Sequence, residues 1–390
     1  MRVFFVVMRP MPSEPCGGGG GVNYRIMKAQ QKFHIFEDAY FIFSDQMIID
    51  RTGEKLDLLP VDQLEYADKQ RAVYSLLNKY FKFNKDDRFV FHDINSFCYM
   101  SEAVGDISGT IIVYNQQGGL YYDSLAYGAP ENLDRKREFD RMTEYAIKHS
   151  TVFAFPSLGA REALIDTMPE TDSWLSEKEN VILYNGCTPE LSDVANPDFE
   201  DIEDLLGTFN GNTFVSVAVL NEAKGVERLP AFFKEYDRSA GKNWLWVVIG
   251  NGAKAESLKE GIRGIESHVL WIRDYIPNEC VLRIYRRADF YIMAHRFSIF
   301  DFATIEAMHM GCIPVLTEVG GNKEMLQYGN GYALDNKVSG KAFYEWERNA
   351  DIDTLKMQNE MVAYEHFSEL AMLERYSKVV NAGTLSYDVD

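Results

Sequence analysis

An α/β protein of two domains, each built on a parallel sheet, is what this sequence predicts, and three observations predict it. Short apolar runs rich in β-branched and aromatic residues alternate with amphipathic helical stretches along almost the whole chain. Polar or glycine residues recur just after those runs, where the carboxyl edge of a parallel sheet lines a ligand crevice. The alternation lapses over residues 186–212, rich in Asp, Glu, Pro, Asn and Gly, and then restarts. The 390 residues leave room for two proper cores, at roughly 150 residues per domain.

In chain order, residues 3–8 read as a buried strand bounded by Pro10 and Pro12. Five consecutive glycines at 17–21 follow, then a helical pattern from Val22. A glycine loop between a first strand and a first helix lets backbone amides approach a ligand, so Gly20 and Gly21 are candidate contacts. Its spacing is not that of a dinucleotide fingerprint. Strands are predicted over 39–43, 88–92, 110–114, 152–155 and 181–184, with helices over 69–81 and 134–149. His92 ends one of these strands and reads as either a cleft base or a helix-capping group. Asn115 ends another and is a second candidate. The second half gives strands over 213–219, 244–249, 269–272 and 290–293, helices over 226–236, 253–261 and 278–286, and helical character from 337 onward, including 367–380.

A net charge of −19 disfavours nucleic acid, whose phosphates require a basic face, and disfavours wholesale docking on an anionic membrane. Hydrophobic content of 46% and charged content of 25% describe an ordinary globular chain. The five cysteines, Cys16, Cys98, Cys187, Cys280 and Cys312, are scattered without metal-ligand spacing and fit free thiols in a reducing compartment. No apolar run approaches the ~18 residues of a membrane span, and the N-terminal apolar stretch is short for a signal sequence. The expected location is cytoplasmic. Basic residues gather on the predicted helix 134–149, but interleaved Glu138, Asp140 and Glu144 favour a solvated helix with i,i+4 pairs over a membrane-docking one.

The most informative stretch is 294–324, AHRFSIFDFATIEAMHMGCIPVLTEVGGNKE. It leaves the strand FYIM through a polar loop, enters the helix FATIEAMHMG, forms a second strand, CIPVLT, and turns at Gly320 and Gly321. The loop and first helical turn fall at the sheet's carboxyl edge. Backbone amides at such a helix start favour an anion such as a diphosphate, and Glu306, one turn in, reaches hydroxyls beside it.

This stretch resembles the donor-nucleotide segment of GT-B glycosyltransferases, in particular glycosyltransferase family 4 (glycosyl transferases group 1). Glu306, Ala307, Met308, Gly311, Pro314, Val315, Gly320, Gly321 and Glu324 match that pattern in order and spacing. Earlier, Lys224 and Gly225 match its Lys-Gly pair, Gly250, Asn251 and Gly252 its glycine turn, and residues 271–275 and 285–289 its base-binding strand end and helix exit. The glycine loop and Asn185-Gly186 fit its first domain. The resemblance implies two Rossmann-like domains facing each other across a cleft: 1–185 on the acceptor side, a linker at 186–212, 213–365 on the donor side, and a terminal helix at 366–390 crossing back to the first domain.

The resemblance further implies a glycosyltransferase of polysaccharide-biosynthesis type. It moves a sugar from a nucleoside-diphosphate donor to a glycan, lipid-linked saccharide or protein acceptor, with retention and without a bound metal or other cofactor. Relatives often dock peripherally on membranes. Lys224 and the amides of Phe302, Ala303 and Thr304 are expected to neutralise the diphosphate, Glu306 to accept from the ribose hydroxyls, and Ile272, Arg273 and Tyr275 to flank the base; His295 and Ser298 complete the donor side. This sequence departs from the pattern at four points. Ser298 replaces a carboxylate, Val219 replaces an arginine, Asn115 stands where relatives often have a histidine, and Asp301 stands where a glycine lies near the phosphates, adding repulsion unless it faces away. His295, Arg296 or Arg273 are candidates to replace the missing cation. The departures keep a second expectation open, a non-catalytic GT-B subunit that binds sugar or a partner protein for another enzyme.

Overall fold

Runs that are apolar at every position form strands covered on both faces, as parallel sheets require. The computed structural model describes the chain apart from residues 8, 13–17, 44–47, 57–65, 106, 108, 115, 117, 127–129, 192–198, 242, 336 and 383–390. It divides into two compact units, Met1–Gly186 with Glu369–Asp390, and Cys187–Ser368.

Among the described residues of the first unit, the strands are β1 (Val3–Val6), β2 (Ala39–Ile42), β3 (Ile48–Asp50), β4 (Lys55–Leu56), β5 (Arg88–Phe91), β6 (Thr110–Val113), β7 (Val152–Phe155) and β8 (Asn180–Ile182). They lie in the order β4-β3-β2-β1-β5-β6-β7-β8. β2 through β8 in that order run parallel, while β3 and β4 fold back antiparallel at the edge. Central cohesion comes from aromatic rings in register: Phe4 stacks on Tyr40 and on Phe89, each at 5.2 Å between centroids, and Phe5 on Phe41 at 5.0 Å. The terminal helix Glu369–Ala382 belongs to this unit and packs against the helix Gly18–Phe33. Its Tyr376 is buried beside Phe5.

The second unit holds β9 (Asn212–Val217), β10 (Trp244–Ile249), β11 (Val269–Ile272), β12 (Phe290–Met293), β13 (Ile313–Thr317) and β14 (Tyr332–Leu334), all parallel, in the order β11-β10-β9-β12-β13-β14. Phe214 anchors its core, with the rings of Phe233, Tyr236, Phe290 and Phe343 all within 5.7 Å, centroid to centroid. The strand order reverses direction between β9 and β12. That is the topological switch point of a doubly wound sheet, the place where such sheets bind ligands.

Three expectations are corrected here. Gly20 and Gly21 do not lie in a loop: the helix begins at Gly18. A glycine there suits the crowding, because a Cβ on Gly20 would sit 3.2 Å from the Cβ of Arg9. Residues 186–212 are not a free linker, since Glu200–Thr208 is a helix of the second unit. It buries Leu206, and its Glu203 accepts from Arg283 at 3.3 Å. The terminal helical run breaks at extended Ser368, so the returning helix starts at Glu369 and not at 366 or 367. The helix Leu133–His149 is capped by Asn132 and laced by Lys136–Asp140, Arg137–Asp134 and Lys148–Glu144 pairs, the arrangement of a solvated helix. Cys98, Cys187, Cys280 and Cys312 are buried thiols; Cys16 lies outside the described residues. No described helix is long and apolar enough to cross a membrane.

Candidate functional site

At the switch point of the second sheet, the loop leaving β9 is laid directly on the loop leaving β12. The amide of Arg296 donates to the carbonyl of Ala223 at 2.8 Å, and Asn221 Oδ1 accepts from the amide of Lys224 at 3.1 Å. Gly225 makes this approach possible. Its φ is +64°, and a Cβ there would stand 1.9 Å from the carbonyl oxygen of Ala294. On the far side, Gly320 (φ +50°) packs its backbone on Ser298, whose carbonyl oxygen would be 1.9 Å from an added Cβ. Gly320→Ala is therefore expected to destabilise the second unit by about 2 kcal/mol or more through left-handed strain and steric displacement. The midpoint of urea unfolding measures it.

These two loops bring Lys224 and Asp301 together. Lys224 Nζ donates to Asp301 Oδ1 at 2.6 Å, and Asp301 Oδ2 accepts from the hydroxyls of Tyr291 at 3.1 Å and Thr304 at 3.2 Å. Burial alone would push the Asp301 carboxyl up. The Lys224 charge and the bonds from Lys224 and Tyr291 outweigh it and hold the group at about 2. Tyr291 comes from the middle of β12 and is fully buried; burial first, then the negative field of Asp301, raises its phenol well above the usual range, with Glu306 adding to the same field. Tyr285 is raised likewise, by burial and by Tyr291, Glu306 and Asp301. Lys224, Asp301, Tyr291, Thr304 and Glu306 thus form one electrostatic cluster at the head of the helix Phe302–His309.

Asp301 is the N-cap of that helix, yet its side chain makes no capping bond to the first turn. It faces the lysine and does not face away. Glu306 is buried one turn in, as its spacing predicts. His295 is fully buried, and burial, then the Lys224 charge, lowers its imidazole to about 3. Its Nδ1 lies 3.2 Å from the Asn322 amide nitrogen. A neutral imidazole cannot replace the arginine that Val219 displaces. The other two candidates are engaged elsewhere: Arg296 pairs with Glu227 at 2.5 Å, and the Arg273 guanidinium stacks on Trp271 at 3.9 Å. Val219 and Tyr275 are exposed.

Gly250, Asn251 and Gly252 form the turn after β10 and clasp the β9 loop, with the Leu220 amide donating to the carbonyl of Asn251 at 3.0 Å. Ile272, Arg273 and Tyr275 lie at and beyond the carboxyl end of β11. Ser298 is buried inside the Gly320 turn. Phe302, Ala303 and Thr304 open the helix. Of the candidates in the first unit, Gly20 and Gly21 are helical, Asn115 lies outside the described residues, and His92 departs from the cleft-base reading. It is 2% exposed, its Nε2 lies 3.2 Å from the Tyr376 hydroxyl, and burial lowers it to about 3. A base must reach its proton, and this one lies beneath the terminal helix.

Sequence reasoning missed Tyr291, and it singled out Thr304 for its amide and not for the hydroxyl that meets Asp301. A tyrosine within an otherwise aliphatic buried strand was the available signal, because its hydroxyl needs a partner.

Residues 211–345 match the family described as glycosyl transferases group 1. Across the chain's length, the fold is similar to a glycosyltransferase from Rickettsia africae, at 12% identity, a TM-score of 0.67 and 98% coverage of each chain. It is also similar to the Anabaena protein HepE solved in complex with UDP-glucose, at 13% identity and a TM-score of 0.65, covering 98% of this chain and 100% of that one. The chain carries a GT-B fold, and its segment 211–345 is similar to the glycosyl transferases group 1. A glycogen synthase from Exiguobacterium sibiricum is 26% identical over 229 residues, which are 55% of this chain and 44% of the relative; the match thus spans less than half of that protein's length. The group 1 segment encloses every member of the cluster, from Lys224 to Glu306.

Proposed function

We propose that this GT-B chain is a nucleotide-sugar-dependent glycosyltransferase whose second unit holds the donor. The observation that carries the reading is the contact of Lys224 with Asp301 at the start of the helix Phe302–His309, with Glu306 buried one turn in, at the switch point of a parallel sheet within the segment 211–345. A cation and a helix start together stabilise the charge that develops on a departing diphosphate. Glu306, one turn deeper, accepts from the ribose hydroxyls, and the base rests by Ile272, Arg273 and Tyr275. The HepE relative is named in complex with UDP-glucose, and a donor of that kind suits this site. The proposed acceptor is a glycan, lipid-linked saccharide or protein, and the proposed transfer retains configuration and uses no bound metal.

Lys224→Ala is expected to lower turnover of the preferred nucleotide sugar by roughly 10²–10³, while EDTA leaves wild-type turnover unchanged. Hydrolysis and transfer assays over a panel of nucleoside-diphosphate sugars measure both. No turnover with any donor, together with no binding of free nucleoside diphosphate, defeats the reading. A second reading, a non-catalytic GT-B subunit, is favoured by one specific observation: the lysine's amine is already held by Asp301. Binding of sugar or nucleotide with no turnover in any assay would select it.

A further inference from the structure

The place where a phosphate would rest already holds an anion of the chain's own. Asp301 sits immediately before the helix Phe302–His309 and makes no capping bond of its own to that helix. Its two carboxylate oxygens are engaged by a lysine ammonium at 2.6 Å, a tyrosine hydroxyl at 3.1 Å and a threonine hydroxyl at 3.2 Å. That is the pattern of donors a phosphoryl oxygen pair would meet: one cation, hydroxyls, and the positive end of a helix. We infer that Asp301 is an internal surrogate for the donor's phosphate, and that it sets how tightly this chain grips a nucleoside diphosphate. The inference rests on the donor-site reading above and goes beyond it, because it assigns a role to a residue that the family pattern fills with glycine.

Asp301 competes with a bound phosphate for Lys224 and repels it. Lys224 must leave Asp301, or share itself, before it can neutralise an incoming diphosphate, so the free protein is stabilised relative to the bound one. Once the diphosphate is in place, Asp301 faces it as a like charge in a partly buried setting where screening is weak. The carboxylate does not escape by taking up a proton at ordinary pH, since it is held at about 2. Neighbouring cations give little relief: Arg296 is paired with Glu227, Arg273 lies on Trp271, and residue 219 is a valine. The wild-type site should therefore discriminate poorly between nucleoside mono- and diphosphates. Each added phosphate gains from Lys224 and loses to Asp301.

Calorimetric titration of the 390-residue chain with UDP, UMP, ADP, AMP and the parent nucleosides tests this, using wild type, Asp301→Asn and Asp301→Gly. Asp301→Asn keeps the shape and an acceptor for the Tyr291 and Thr304 hydroxyls while removing the charge; Asp301→Gly supplies the residue of the family pattern. Thermal melts confirm that each variant is folded, and either one suffices. The expected result is diphosphate binding tighter by about tenfold or more in the variants, a widened preference for diphosphate over monophosphate, and no change for the nucleosides. Wild type binding a diphosphate that the folded variants bind no more tightly overturns the inference and leaves the donor reading standing. No binding of any nucleoside diphosphate by wild type or variants overturns both.

Discussion

Lys224→Ala should lower the stability of the second unit by about 2–3 kcal/mol, and adding Asp301→Ala should return most of that loss. The asymmetry follows from what each deletion leaves behind. Removing the lysine strands a carboxylate with 12% side-chain exposure among Tyr291, Tyr285 and Thr304, without its counter-charge. Breaking a fully buried pair in this way costs about 3–5 kcal/mol. Lys224 keeps 28% side-chain exposure, so water offsets part of the loss and the lower end applies. Removing both partners takes away the desolvated charge together with its partner, and such double deletions come close to neutral. The exposed Arg137–Asp134 pair on the helix Leu133–His149 is the control. Deleting either of its members should leave unfolding unchanged, because a fully solvated pair gains little from its partner. A double-mutant cycle by urea unfolding reads all of this. Additive losses at 224 and 301 would mean that the two side chains do not act as a pair.

That pair also marks where the sequence stopped being legible. β10, WLWVVI, is buried at all six positions, and runs of this kind announce a parallel strand from the sequence alone. β3 and β4, of three and two residues at the sheet edge, left no such trace, because an edge hairpin is held by its hydrogen bonds and by the turn at Asp50, not by apolar pattern. The helix Ile94–Val104 was missed for a different reason: its outward face, at Asn95, Tyr99 and Glu102, is narrow and only weakly polar, and its clearest signal is its cap, Asp93 accepting from Ser96. Gly18 to Gly21 gave no helical signal because glycine is the weakest helix former apart from proline, yet they open the helix Gly18–Phe33. In the site, Glu306 was readable from its place one turn into a helix, and Lys224 from the family resemblance. What Lys224 touches was not, since its partner lies 77 residues on, and only the order of strands in the sheet decides that the two loops meet.

Mild acid should destabilise the protein by way of its histidines, and the second unit should feel it about twice as steeply as the first. His92 and His295 are held at about 3 and His309 at about 4, each chiefly by burial. For His309, hydrogen bonds with the backbone of Phe367 and Cys187 oppose the shift without cancelling it. The sign follows from proton counting. Above pH ~6.5 neither the folded nor the unfolded chain protonates these groups, so their neutrality costs nothing. Below it the unfolded chain takes up protons that the folded chain refuses, and stability falls by about 1.4 kcal/mol per pH unit for each histidine until the folded value is reached. One such histidine lies in the first unit and two in the second. Between pH 6.5 and 5 these groups should therefore remove up to about 2 kcal/mol from the first and about 4 kcal/mol from the second. Asp301 contributes nothing in that window, because its depressed carboxyl loses its stabilising charge only as pH falls below the ordinary carboxylate range toward 2. Urea unfolding followed at pH 7.5, 6.5, 5.5 and 5.0 measures the slope, and His309→Gln should flatten it for the second unit alone. Stability that stays level from pH 7 to 5 would mean that these imidazoles take up protons in the folded chain, and the burial that empties them would then have to be wrong.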